Sequence, residues 1–199
     1  MTSIMSILRT VKQQYENVLA VYKGALESQR LSVTTKLNAG ATDVVRGSLV
    51  SLNADGEFIL GLPEGSGVIY PMPMFSKKNA YDPDVTTGAQ AGNGEVIANS
   101  TVGGTITAYV ATGAFELETS EFDAAATYAY NQALVGQVAD GKQTGKLTPA
   151  TKAIYGDTTV VGIVSEKPYR GKDSMNVYGK AKNRLRFWPV FFPPTRNQE

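Results

Sequence analysis

The sequence predicts a mainly β protein: an antiparallel β-barrel or sandwich-like domain, with an N-terminal amphipathic α-helix and long loops. Three observations predict it. Short runs of alternating apolar and polar residues recur from residue 31 onward, separated by turn residues. Glycine makes up 20 of the 199 residues, and glycine is a residue of tight turns. Helical periodicity is confined to the first 30 residues. The chain therefore divides into a helical arm, 1–30, and a β-rich domain, 31–199, with a long loop at 76–103.

The helix is predicted over residues 3–27. Ile4, Leu8, Val11, Tyr15, Val18, Tyr22 and Ala25 are spaced alternately four and three apart, an apolar seam of period 3.5. Arg9, Lys12, Gln13, Glu16 and Lys23 fall on the other side. Such a helix lies either on its own core or on another subunit. After Arg30 the period becomes two. Leu31–Leu37 alternates as a strand, with Leu31, Val33, Thr35 and Leu37 on one face. Ser48–Leu52 and Glu57–Leu60 flank Asn53-Ala54-Asp55-Gly56, a hairpin whose glycine accepts positive φ. Val68–Phe75 is apolar but holds Pro71 and Pro73, which lack the N–H of a ladder donor, so an edge strand or crossing segment is expected.

Thr105–Ala111 and Ala114–Ser120 read as a second hairpin around Thr112-Gly113. Leu134–Val138 and Lys146–Thr148 read as a third, around Asp140-Gly141. Thr158–Val164 is a continuous β-branched run, the pattern of a strand buried on both faces. Arg184–Phe191 is the last strand, ended by Pro193-Pro194.

Composition removes whole classes of chemistry. The chain has no histidine and no cysteine. Metal sites built on those ligands, disulfides, and His- or Cys-dependent nucleophilic catalysis are excluded. No cofactor and no enzymatic activity are expected. The formal net charge is +1, so nucleic acid is not an expected partner. Charge is uneven: residues 31–165 are net acidic, whereas the stretch from 166 onward is basic, which suits contacts between neighbouring copies. MTSIMSILRTVKQQ carries neither the charged start nor the apolar run of a secretory signal, and no stretch reaches the ~20 apolar residues of a membrane helix.

The candidate sites have plain structural explanations. Glu116 and Glu118 share one face of a predicted strand and could form a glycosidase-like carboxylate pair. Phe115 and Leu117 on the opposite face account for the alternation without catalysis. Asp82-Pro83-Asp84 lacks the spacing of a calcium loop, and Gly88, Gly92 and Gly94 lack the lysine and strand-to-helix context of a phosphate loop. Lys167–Arg186 interleaves basic residues with Tyr169 and Tyr178, and reads as a surface loop or a contact to an acidic protein surface. Trp188 with Phe187, Phe191 and Phe192 reads as core packing.

GSLVSLNADGEFILG (47–61), YPMPMF (70–75), GGTITAYVATGAFELETSEFD (103–123), TYAYNQALV (127–135), VVGIVS (160–165) and RFWPVFFP (186–193) together resemble segments of small head proteins of tailed bacteriophages. Those are decoration, or cement, proteins that bind the outside of the capsid. The resemblance covers most of residues 45–193 and leaves the N-terminal helix unmatched. It implies a β-barrel-like domain, copies placed by symmetry on an icosahedral shell, and no catalysis. The implied partners are the major capsid protein and further copies of the chain, as a dimer or trimer, with no membrane involved. The implied place is the virion surface, after synthesis in the host cytoplasm. The expected contact residues are Ile4, Leu8, Val11, Tyr15, Val18 and Tyr22 on the helix, and Arg170, Lys172, Arg184 and Arg186 in the basic stretch. The 76–103 loop is a further expected contact element. Two alternatives stay open: a carbohydrate-binding or carbohydrate-active β-domain using Glu116 and Glu118, and another virion part such as a tail or adaptor protein.

Overall fold

The computed structural model describes residues 19–24, 30–38, 40–41, 44–63, 72–77, 105–152, 159–170 and 183–191. These form eleven strands: β1 Leu19–Gly24, β2 Ser32–Lys36, β3 Leu49–Leu52, β4 Phe58–Leu60, β5 Met74–Ser76, β6 Thr105–Val110, β7 Phe115–Thr119, β8 Ala133–Ala139, β9 Lys142–Pro149, β10 Val160–Arg170 and β11 Asn183–Pro189. They build two antiparallel sheets, one of six strands in the order β1-β7-β11-β10-β8-β9 and one of five in the order β2-β6-β5-β3-β4. The architecture is thus mainly β, as the alternation predicts, and it contains no closed barrel among the described residues.

The five-stranded sheet has an apolar side chain on each face at successive positions, and this alternation makes two cores. Leu49, Phe75 and Tyr109 point to the six-stranded sheet and meet Phe115, Leu117, Leu134, Leu147, Val161, Val164, Leu185 and Phe187. Phe75 and Phe187 lie edge to face across the gap, 5.0 Å between ring centroids. Val50, Met74, Ile106, Ala108 and Val110 point the other way and pack with Leu37, Ala41, Val44 and Phe58. The chain leaving β2 curls over this second cluster to the opposite edge of its own sheet. There Leu37 bridges Phe58, and the Asn38 amide donates to the Phe58 carbonyl at 2.9 Å. One isolated bridge joins the two edges, so the sheet stops short of barrel closure.

The β3–β4 and β8–β9 hairpins form as the turn chemistry predicts. In the second, Asp140 and Gly141 both take positive φ, 51° and 73°, the backbone of a two-residue turn that matches strand twist.

Three expectations are corrected. The segment 19–24, read as the end of a helix, is strand β1, paired with β7 from Leu19↔Thr119 to Gly24↔Phe115. Leu19 and Val21 turn toward the core while Ala20 and Tyr22 turn outward, a period of two that the 3.5-residue seam also accommodates over so short a stretch. The remainder of the predicted helix, including Ile4, Leu8, Val11, Tyr15 and Val18, lies outside the described residues, as do most of the 76–103 loop and Lys172. Strand β5 is not at an edge: it is the centre of its sheet, paired with β3 and β6. It begins at Met74, after Pro73, and Pro73 serves the structure only as an acceptor, its carbonyl taking the Ala111 amide at 3.0 Å. Finally, β6 and β7 are not a hairpin. Tyr109, Ala111, Phe115 and Leu117 all belong to the core between the sheets, so the chain crosses from one sheet to the other at Thr112-Gly113. β1 and β2 likewise lie in different sheets, since β1 pairs with β7 and β2 with β6.

Candidate functional site

The outer face of the six-stranded sheet carries a charged cluster. On β7, Phe115 and Leu117 take the core, so Glu116 and Glu118 face outward, as the alternation predicts. On β11, Leu185 and Phe187 take the core, so Arg184 and Arg186 face outward beside them. Register sets Glu118 directly opposite Arg186. Glu118 Oε1 accepts from Arg184 Nη1 at 2.5 Å, and Oε2 accepts from Arg186 Nε at 3.0 Å and from the Tyr169 hydroxyl. Arg186 Nη1 also donates to Glu166 Oε2 at 2.7 Å. Ser165 Oγ donates to Glu116 Oε1.

Strand irregularities bring in side chains that simple alternation would scatter. β10 slips register between Val164 and Glu166 and again between Glu166 and Tyr169. A bulge sets two residues against one on the partner and re-aims the side chains. Ser165, Glu166 and Tyr169 thereby all reach the outer face. Pro168 sits within the second irregularity, where its missing N–H removes no regular ladder bond. β1 slips between Val21 and Lys23 in the same manner, and the ring of Tyr22 lies over the Arg186 guanidinium at 3.5 Å. The Tyr169 ring lies over the same guanidinium at 4.6 Å. Four strands thus meet on one arginine.

The cluster is largely withdrawn from water. The side chain of Glu118 is 6% exposed, and those of Arg184 and Arg186 are 13% and 16% exposed. Burial alone would raise the Glu118 carboxyl, but the bonds from Tyr169, Arg184 and Arg186 outweigh it and hold the group below its ordinary value. Burial and the Glu118 carboxylate together push the Tyr169 hydroxyl well up, so it stays a proton donor. Desolvation works against the charge on Arg186, and the Glu118 partner more than restores it. At neutral pH Glu118 is therefore a carboxylate saturated by donors, with no proton to deliver. General-acid chemistry at this position is disfavoured.

Of the sequence-derived contact residues, Tyr22, Arg184 and Arg186 come together here, engaged within the chain. Arg170 ends β10. The reading of Lys167–Arg186 as a surface loop is corrected at its start, where Lys167–Arg170 are paired strand residues; Arg184–Arg186 are paired as the predicted last strand has them, and 171–182 lies outside the described residues. The aromatic cluster splits by alternation. Phe187 is fully buried, whereas Trp188 is half-buried on the opposite face. Sequence reasoning missed Glu166 and Ser165, which have no motif. The pairing of Glu118 with Arg184 and Arg186 did leave a signal: Glu116-x-Glu118 and Arg184-x-Arg186 are two strands of opposite charge at the same spacing.

A second feature lies between β4 and the tip of the β8–β9 hairpin. An open groove of about 640 Å³ is lined by Ile59, Leu60, Leu62, Lys142 and Gln143 among others. Gln143 Oε1 is buried there without a hydrogen-bond partner, against the backbone at Gly61 and Gly136. Among the described residues, no three acidic side chains converge in a way that could hold a metal ion. Compared with known proteins, the chain matches no family model, no curated relative and no solved structure.

Proposed function

We propose that the chain is a structural virion protein: a decoration protein that binds the outer surface of an icosahedral bacteriophage capsid and stabilises contacts between major capsid subunits. The observation that carries this reading is the state of the outward carboxylates. Glu118 is spent on Arg184, Arg186 and Tyr169, and Glu116 on Ser165, so the best candidates for catalysis act as ties between strands. This weighs against a carbohydrate-active domain and favours a molecule that works by presenting rigid surfaces. The segments that resemble phage head proteins support it further, because they supply framework strands of both sheets: β3, β4, β5, β6, β7, β8, β10 and β11. Modest contacts repeated over many copies add up to a large stabilisation of a shell.

The test is co-sedimentation of purified protein with emptied phage heads, followed by heat or chelator challenge of the heads. Binding together with protection is the expected result. Absence of both defeats the proposal, and assembly of the isolated protein into rings or tubes would favour a tail or adaptor role instead.

A further inference from the structure

From the outer-face cluster we infer that β1 is a releasable strap, latched through Tyr22, Arg186 and Glu118, and that protonation of the cluster opens it. Among the described residues β1 is held on one side alone. Its ladder runs to β7, is broken by the register slip at Tyr22, and has no second partner strand among the described residues. Leu19 and Val21 are half-buried against the core, and the other four residues of the strand are exposed. A one-sided attachment with only two half-buried apolar side chains belongs to the low-stability end of a fold, where local opening precedes global unfolding.

Tyr22 supplies what the ladder lacks. Its ring stacks on Arg186, and Arg186 is in turn fixed by Glu118 and Glu166. The charged groups facing this point come from four strands. Lys23 on β1 is in register with Glu116 on β7; Glu118 follows on β7; Glu166 with the Tyr169 hydroxyl comes from β10; Arg184 and Arg186 come from β11. Lys167 turns instead to Tyr130. Among the described side chains, three carboxylates thus stand against three cations. Transfer of a proton from solvent to Glu118 leaves the cations in excess and removes the anion that orients Arg186. The cation–π platform under Tyr22 is then free to move, and the poorly hydrated Arg184 and Arg186 repel one another. Release of β1 would bare the edge of β7, a row of ladder groups open to another strand.

Hydrogen exchange on the full chain tests this, read as protection factors for peptides covering 19–24 and, as the internal reference, the β8–β9 hairpin. On acidification the 19–24 peptide should lose protection before the reference. Glu118→Gln should reproduce that loss at neutral pH, lowering β1 protection by about tenfold more than it lowers the reference, the equivalent of about 1.4 kcal/mol. Tyr22→Ala changes an exposed side chain, leaves both cores untouched, and should loosen β1 alone at neutral pH. Parallel loss of protection in β1 and the hairpin on acidification overturns the proposal. So does a Tyr22→Ala protein whose β1 is as protected as the parent's.

Discussion

Replacing Glu118 by glutamine keeps the shape of the side chain and removes its charge. The parent carboxylate is 6% exposed and bonded to Arg184 at 2.5 Å and Arg186 at 3.0 Å. Breaking a buried pair by deleting one partner costs ~3–5 kcal/mol, because the surviving charge is left poorly solvated. Two features place this case at the low end. Arg186 keeps Glu166 at 2.7 Å, and that carboxylate is itself 45% exposed, so water reaches the pair. A loss of about 3 kcal/mol follows, which for a chain of this length lowers Tm by about 6–12 °C at neutral pH. The effect carries a pH signature. Because the folded state holds the Glu118 carboxyl below its ordinary 4.5, its contribution is complete above that value and fades as pH falls through the lower folded value. Thermal unfolding of parent and Glu118→Gln, followed by circular dichroism from neutral to acid pH, should therefore give curves that converge below 4.5. A neutral-pH difference below about 2 °C, or one that persists unchanged in acid, would refute the reasoning and return the cluster to the small energies of surface ion pairs.

Three further outcomes are expected. Phe187→Ala empties a fully buried site beside Phe75 and should cost ~3–5 kcal/mol in denaturant unfolding, and a double-mutant cycle with Phe75→Ala should give a coupling of ~0.5–1.5 kcal/mol. Gln143→Met removes a buried acceptor that has no donor while filling similar volume, so stability should rise by about 1 kcal/mol, read as a higher midpoint at an unchanged denaturant slope. The Tyr128 and Tyr169 hydroxyls are both raised, chiefly by burial, so their contributions are complete below the ordinary value of 10.0 and are lost as pH climbs toward the folded values. Ultraviolet titration should show the Tyr128 and Tyr169 hydroxyls ionising together with unfolding, and Tyr169→Phe should remove one hydroxyl from that late step.

Local pattern proved a good guide to strands and a poor one to their neighbours. Alternation located β2, β3, β4, β6, β7 and β11, and Asp140-Gly141 located the β8–β9 turn, because those signals act within a few residues. Whether a short connection folds back in one sheet or crosses to the other depends on where the apolar faces must go. That is why Thr112-Gly113 read as a hairpin turn and is a crossing. Pro73 misled in another way. Its missing N–H matters only inside a ladder, and the ladder begins one residue later. The seam from Ile4 to Ala25 misled at its end, since six residues can satisfy a helical stripe and a strand equally well. The charged cluster was half legible. Glu118 and Arg186 sit at regular alternating positions, whereas Ser165, Glu166 and Tyr169 arrive through slips of register that leave no trace in composition.

The position of β11 has a bearing on how the molecule is made. It is the last of the described strands in chain order, yet it lies in the interior of the six-stranded sheet, between β7 and β10. Until residues 183–189 are synthesised, β1 with β7 and β10 with β8 and β9 are two separate ribbons with nothing between them. The final strand supplies both joining ladders, the Phe187 ring that meets Phe75, and the two arginines that neutralise Glu118. A ribosome would thus hold a chain whose larger sheet stays divided until residues 183–189 have emerged. A truncated product would lack the keystone and expose two unmatched edges, marking itself for degradation before it could compete with intact copies.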